Sequence, residues 1–156
     1  MPYFRLYEKK LEHVPFGYGL SAARWNHIGV GMIYMCKFTS LNMLEHISIK
    51  GNTGSSCDWE LVIYETASDD FDELNISQLT PGWNSMRHRR LTQNIGTQFI
   101  RDQKKLALRV PSARLPTINY PAEHNLIVNP ALKPQDYFRI VDQIDCSHNV
   151  NNSYTH

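Results

Sequence analysis

Short runs of alternating apolar and polar residues dominate the chain and predict β-strands. Five runs have this character: residues 30–37, 58–65, 105–110, 125–129 and 137–142. In the first, Tyr34 and Cys36 fall on one strand face and Met35 on the other. In the second, the alternation predicts that Trp59, Leu61 and Ile63 point toward the core.

Two segments have a helical period instead. Residues 41–50 follow Ser40, a good N-cap, and precede Gly51, which can end a helix. Their apolar stripe is Leu41, Leu44 and Ile47. Residues 91–103 form the second predicted helix, although Gly96 costs about 1 kcal/mol relative to alanine there. Its apolar positions, four apart, are Leu91, Ile95 and Phe99.

Strands that outnumber helices predict an α+β fold with mostly antiparallel strands. The 156 residues fit one domain, which we place at residues 1–146, followed by a polar tail at 147–156. The acidic segment 67–73 is predicted to be a solvated loop.

Composition narrows the class of protein. The formal net charge of +1 gives no overall electrostatic field that would attract nucleic acid or a membrane. Local clusters of basic residues remain possible binding sites. Three cysteines without a CxxC pair argue against a disulfide framework and indicate buried thiols in a reducing compartment. The N-terminus lacks the apolar run of a signal peptide, and no stretch approaches a membrane span. We therefore expect a cytoplasmic protein.

Four separated segments together resemble the RES domain, a family named for its Arg, Glu and Ser. The first holds GYG at 17–19, then ARWN at 23–26 and Gly29. The second holds Tyr34 and LEH at 44–46. The third holds TQ at 92–93, Gly96 and FI at 99–100. The fourth holds LRVPSA at 108–113, then Pro121, Glu123, Asn125 and NP at 129–130. Their order and spacing match across roughly residues 5–142.

The chain departs from the family pattern at several positions. Alanines at 22–23 replace the usual glycine pair before Arg24, and Leu20 replaces a small residue. Phe99 stands where tryptophan is common, and Leu126 where tyrosine usually follows the asparagine. These changes affect packing and loop geometry more than ionisable chemistry.

The resemblance implies an ADP-ribosyltransferase-like fold and a toxin that cleaves the nicotinamide–ribose bond of NAD. NAD is then a substrate, and no cofactor is expected. The implied catalytic residues are Arg24 as a phosphate fork, Tyr34 as a face for the nicotinamide ring, and Glu45 as the carboxylate near the ribose. Without the resemblance, their ordinary roles would be an ion pair, a core tyrosine and a solvated helix glutamate.

Further roles follow from the same resemblance. Ser112, Arg5 and Asn125 are implied to bind NAD, and no GxSxG elbow marks Ser112 as a nucleophile. The implied partner is an Xre-type helix-turn-helix antitoxin that covers the active-site cleft. Met43, two residues before Glu45, is not the second acid of arginine-modifying transferases. We therefore expect water or inorganic phosphate, not a protein, to accept the ADP-ribose.

Two other signals are weighed separately. Seven histidines form no HExxH or Cys/His ligand spacing, so no metal site is expected. Segment 87–109 carries seven basic residues against the single acid Asp102. It is either an RNA-binding face, a dock for an acidic antitoxin surface, or a solvated surface.

Two rival functions stay open. One is a nucleic-acid-directed toxin that uses this basic segment, and the other is a module that binds a nucleotide without turnover.

Overall fold

The computed structural model describes residues 1–9, 15–50, 58–85 and 89–146, with residues 47–50 described by their backbone alone. The expected polar tail at 147–156 lies outside the described residues. Within them, no helix is long and apolar enough to cross a membrane.

A single mixed sheet organises the described chain. Its strands are β1 (Pro2–Glu8), β2 (Ile33–Cys36), β3 (Trp59–Thr66), β4 (Asp72–Glu73), β5 (Ala107–Val110), β6 (Asn125–Val128) and β7 (Phe138–Asp145). The seven strands lie in the order β4-β5-β6-β2-β1-β3-β7. Every pairing is antiparallel except that of β4 with β5. Two α-helices complete the described fold: α1 (Thr39–Lys50) and α2 (Arg90–Asp102).

All five predicted strands and both predicted helices are confirmed, with shifts of a few residues at their ends. Strand β1 was not predicted. It lies between β2 and β3 in the middle of the sheet. Both of its faces are covered, because Tyr3 and Tyr7 belong to one core cluster and Leu6 to another. Apolar residues therefore occur on both faces, and the alternation that marks a half-exposed strand is absent.

Three expectations about burial are only partly correct: Trp59, Leu61 and Leu41 are buried as expected, but other positions differ. In segment 67–73, Phe71 is buried and stacks on Phe138, and residues 72–73 form β4. In β3, Val62 and Tyr64 are fully buried whereas Ile63 is only partly buried, because this strand is also covered on both faces. On α1, Leu44 is 37% exposed, so the apolar stripe is narrower than predicted.

Residue pairing across strands shows which side chains share a face. Phe4 lies opposite Cys36, and Cys36 lies opposite Asn125, so all three point to the same side of the sheet. That side carries the apolar cluster around Trp25, Trp83 and the inner residues of α2. The other side carries the largest core cluster, which includes aromatic residues from β1, β3 and β7.

Helix α2 holds the loop that precedes β2. A Cβ added at Gly96 would overlap the carbonyl oxygen of Trp25, so only glycine permits this approach. The Oγ1 of Thr92 donates to the carbonyl of Arg24 (2.7 Å), and Nε2 of Gln93 donates to the carbonyl of Ala23 (3.0 Å). The glycine that weakened the helix prediction is therefore required to position this loop.

Candidate active site

Glu45 lies on the side of α1 that faces the sheet. Its Oε1 accepts a hydrogen bond from Oγ of Ser112 (2.6 Å) and another from Nδ2 of Asn125 (3.0 Å). The Glu45 side chain is 21% exposed. Its carboxylate is therefore fixed by neighbouring side chains and remains accessible to solvent. Ser112 and Asn125 are 67 and 80 residues away along the chain. The fold thus brings three of the predicted site residues into contact.

Ser112 is held in the turn that follows β5. It is 3% exposed, and its Oγ accepts a hydrogen bond from the backbone N–H of Arg114 (3.0 Å). An ionised carboxylate only accepts hydrogen bonds, so the hydroxyl hydrogen of Ser112 is directed to Glu45. Ser112 therefore acts in this structure as a donor to the carboxylate.

Asn125 is fixed in the same way by a residue that the sequence reasoning did not select. Sγ of Cys36 donates to its Oδ1 (3.1 Å), and both residues are buried. Burial, with a smaller contribution from the charge of Glu45, raises the pKa of Cys36 far above its usual range. The sulfur is thus a neutral thiol at physiological pH.

Arg24 lies in the loop held by α2, and its guanidinium group anchors a second loop. Nη1 donates to the carbonyls of Trp83 (3.0 Å) and Ser85 (2.9 Å). Burial lowers the pKa of Arg24, and the positive charges of Arg89 and Arg114 lower it further, while Glu45 opposes them. The negative charge of Glu45 thus acts on Arg24 in the opposite direction to the two neighbouring arginines.

The charges of Arg89, Arg114 and Glu45 all act on the guanidinium of Arg24, and the three arginines are here called the arginine cluster. Nε of Arg114 lies 3.9 Å from Oε2 of Glu45. Sequence reasoning missed Arg114 as a site residue and assigned Arg89 only to the basic segment. The signal that could have found Arg114 is its place two residues after Ser112. Such a cluster provides a site for an anion.

Tyr34 secures the same loop as Arg24. Its hydroxyl donates to Oδ1 of Asn26 (2.6 Å) and accepts from the backbone N–H of Trp25 (3.2 Å). Burial raises the pKa of Tyr34. The amide of Asn26 in turn donates to the carbonyls of Ser21 (2.9 Å) and Val30 (3.1 Å). The RWN motif therefore forms a closed network with Tyr34.

Arg5 is a predicted site residue that lies on the other side of the sheet from Glu45. It follows Phe4 in β1 and so points to the opposite side of the sheet from Cys36. Its Nη1 donates to the carbonyl of Pro15 (3.0 Å), which also accepts from the hydroxyl of Tyr64. Burial lowers the pKa of Arg5.

The basic segment is divided between several places. Arg109 lies on the side of the sheet away from Glu45 and pairs with Asp69, while Lys105 pairs with Asp70 (3.1 Å). Arg89 belongs to the arginine cluster. These three side chains therefore do not share one face, and Arg87 of the same segment lies outside the described residues.

Two further features of the described ranges bear on metal and ligand binding. They contain no group of three or more His, Cys, Asp and Glu side chains that could hold a metal ion. An open groove of about 700 Å³ between β4 and α2 is lined partly by Asp72, Glu73 and Asp102. None of the predicted site residues lines it.

Comparisons with known proteins agree on one family. The family model described as RES domain matches residues 2–149. The chain is 32% identical over 119 residues to a protein of Yersinia enterocolitica named Toxin Res, covering 75% of each. It is 29% identical over 130 residues to the Toxin Res of Photorhabdus laumondii, covering 83% of this chain and 80% of that one.

A third relative and a solved structure extend the comparison. The Prs ADP-ribosylating toxin of a Sphingobium species is 27% identical over 118 residues, covering 74% of this chain and 70% of that one. The crystal structure of the M. tuberculosis MbcT–MbcA toxin–antitoxin complex contains a similar chain, with a TM-score of 0.70 and 13% identity. The match covers 94% of this chain and 84% of that chain. The expected α+β, ADP-ribosyltransferase-like fold is confirmed.

Proposed function

Because this chain belongs to the RES-domain family of toxins, we propose that it is the toxin of a toxin–antitoxin pair and that it consumes NAD. The reaction is cleavage of the bond between nicotinamide and ribose. The observation that carries this proposal is a carboxylate, Glu45, held by two donors beside the arginine cluster.

The charges around the site suit this reaction. Nicotinamide leaves with the electrons of the broken bond, and positive charge develops on the ribose carbon and ring oxygen. A fixed carboxylate stabilises that charge more in the transition state than in the bound substrate. The two charges of the NAD pyrophosphate match guanidinium groups of Arg24 and Arg114, which can bind phosphate through two parallel hydrogen bonds.

The acceptor is a separate part of the proposal. Met43 offers no carboxylate to activate an arginine side chain, so we expect ADP-ribose to pass to water or inorganic phosphate. In the reaction with water, an oxygen–carbon bond replaces the nitrogen–carbon bond and a proton is released. The name of the Sphingobium relative favours a second candidate, transfer of ADP-ribose to a protein.

One incubation tests both parts. Purified protein and NAD are mixed with and without phosphate, and the products are resolved by mass. Free ADP-ribose, or its phosphorylated form at a rate that rises with phosphate, supports the small acceptor. An ADP-ribosyl mark on a host protein, formed as fast as NAD disappears, would instead favour the second candidate. NAD that binds without turnover would support the nucleotide-binding module.

The proposed partner is an Xre-type helix-turn-helix antitoxin that covers the site in the cytoplasm. A structural relative solved as a toxin–antitoxin complex supports an antitoxin partner. Expression of the chain alone should stop growth and lower cellular NAD, and co-expression of the adjacent antitoxin should restore both. Growth arrest at unchanged NAD would favour a nucleic-acid target, which the divided basic segment does not favour.

A further inference from the structure

The buried thiol of Cys36 is connected to Glu45 through one side chain. Sγ lies 3.1 Å from Oδ1 of Asn125, and Nδ2 of the same amide lies 3.0 Å from Oε1 of Glu45. Cys36 is 6% exposed and Asn125 is 9% exposed. The thiol of Cys36, the amide of Asn125 and the carboxylate of Glu45 thus form a row that runs from β2 through β6 to α1.

Elementary chemistry fixes the direction of each bond in this row. An ionised carboxylate only accepts hydrogen bonds, so Asn125 must present its NH₂ group to Glu45. Its carbonyl oxygen then faces Cys36 and needs a donor, which the S–H supplies. If the amide turned over, two acceptor oxygens would oppose each other at the carboxylate.

The two donors to Glu45 therefore depend on different support. Ser112 is oriented by the backbone N–H of Arg114, which remains whatever the side chain at 114. Asn125 is oriented by a side chain, and a single substitution can remove that donor. Cys36 is thus the point at which this arrangement can be changed without touching the carboxylate or its donors.

We propose that Cys36 is a positioning residue for the NAD-cleaving reaction: its S–H keeps Asn125 turned toward Glu45 and so holds the carboxylate in its working orientation. This inference rests on the proposed function. It predicts a change in kcat, since the thiol acts through Glu45 and not on the binding of NAD.

Steady-state kinetics with NAD test the role. Cys36→Ala should lower kcat about three- to tenfold, the factor expected for one hydrogen bond, with KM nearly unchanged. Cys36→Ser keeps a donor and should recover most of the lost kcat. Cys146→Ala, at a partly buried cysteine that follows β7 and packs against the cluster of Leu6, Trp59 and Leu61, should match the wild type. Wild-type kcat in folded Cys36→Ala, or an equal loss in Cys36→Ser, would overturn the proposal.

A spectroscopic measurement needs no NAD. The infrared S–H stretching band of Cys36, assigned by subtracting the Cys36→Ala spectrum, should lie at the lower frequency of a hydrogen-bonded thiol. It should rise in Asn125→Leu, and a band that does not respond would overturn the proposal. A wild-type protein that consumes no NAD would overturn the proposed function, while the band would still decide whether the thiol orients Asn125.

Discussion

The Glu45 half of the candidate site and the Arg24 half differ in where their hydrogen bonds end. Around Glu45, the side chains of Ser112 and Asn125 both donate to one carboxylate oxygen. Around Arg24, the bonds of the guanidinium end on backbone carbonyls, and those of Tyr34 end on the RWN loop. In the proposed reaction, the first half orients the reacting carboxylate, and the second half forms the surface against which NAD binds.

This difference assigns two roles to the arginine itself. A guanidinium has five N–H donors, and the two on Nη1 are directed to the carbonyls of Trp83 and Ser85. The three others are available for the phosphate proposed above. Sequence patterns mark Glu45 and Arg24 alike as catalytic. In the proposed reaction their effects are separable: Glu45 acts on the chemical step, and Arg24 acts on loop structure and substrate binding.

The largest effect is expected at Glu45. Glu45→Gln removes the charge but keeps a side chain of the same size, so NAD consumption should fall about 10²–10³-fold while the fold remains. The rate of NAD loss and the circular dichroism spectrum check this. Glu65→Gln, at an exposed glutamate in β3, is the matched control and should leave turnover unchanged. Near-normal turnover in folded Glu45→Gln would show that the charge of Glu45 is not needed for the reaction.

Arg24→Lys tests whether the fork or only the charge matters. Lysine cannot span two carbonyls and a phosphate, so it should lose roughly ten- to hundredfold in kcat/KM, nearly as much as Arg24→Ala. Most of this loss should appear in KM. Arg101→Lys, at an exposed position in the last turn of α2, is the control. Activity restored by lysine would show that Arg24 contributes local charge alone.

Tyr34→Phe separates the ring from the hydroxyl. The ring implied to face nicotinamide remains, whereas Asn26 loses its donor and Trp25 loses its acceptor. We expect the free energy of unfolding to fall by about 1–3 kcal/mol, with turnover per folded molecule little changed. Denaturant titration and NAD kinetics measure the two effects. Tyr137→Phe, at a 53% exposed residue, should change neither. If Tyr34→Phe kept its free energy of unfolding but lost turnover, the hydroxyl of Tyr34 would take part in the chemical step.

Local patterns predicted most of the fold because β2, β3, β5, β6 and β7 keep recognisable apolar runs. They missed β1, the strand that carries Arg5, because its apolar side chains are buried on both faces and so do not alternate with polar ones. The contact of Glu45 with Ser112 could not come from period or propensity, since the residues are 67 positions apart. Only the resemblance placed them in one site. The role of Cys36 required the register of β2 with β6, which no local pattern contains.

The smallest effect is expected at His124, where the Glu45 half meets the core on the other side of the sheet. His124 precedes Asn125, is 4% exposed, and its Nε2 lies 3.1 Å from the hydroxyl of Tyr3. Burial lowers the pKa of His124, and the positive charges of Arg109 and Lys37 lower it further. The hydrogen bond to the carbonyl of Pro121 and the charge of Asp69 raise it, but the net shift is downward. The unfolded chain therefore binds the proton more readily than the folded one.

Stability should consequently fall as the pH drops below about 6.5, the ordinary value for histidine, toward the lower folded pKa. His124→Gln removes the titrating group, so its free energy of unfolding should depend less on pH between about 7 and 5 than that of the wild type. Denaturant titrations at several pH values measure both slopes. If His124→Gln kept the full wild-type slope, the acid sensitivity would have to come from other groups, and the core beneath Asn125 would not couple protonation to the site.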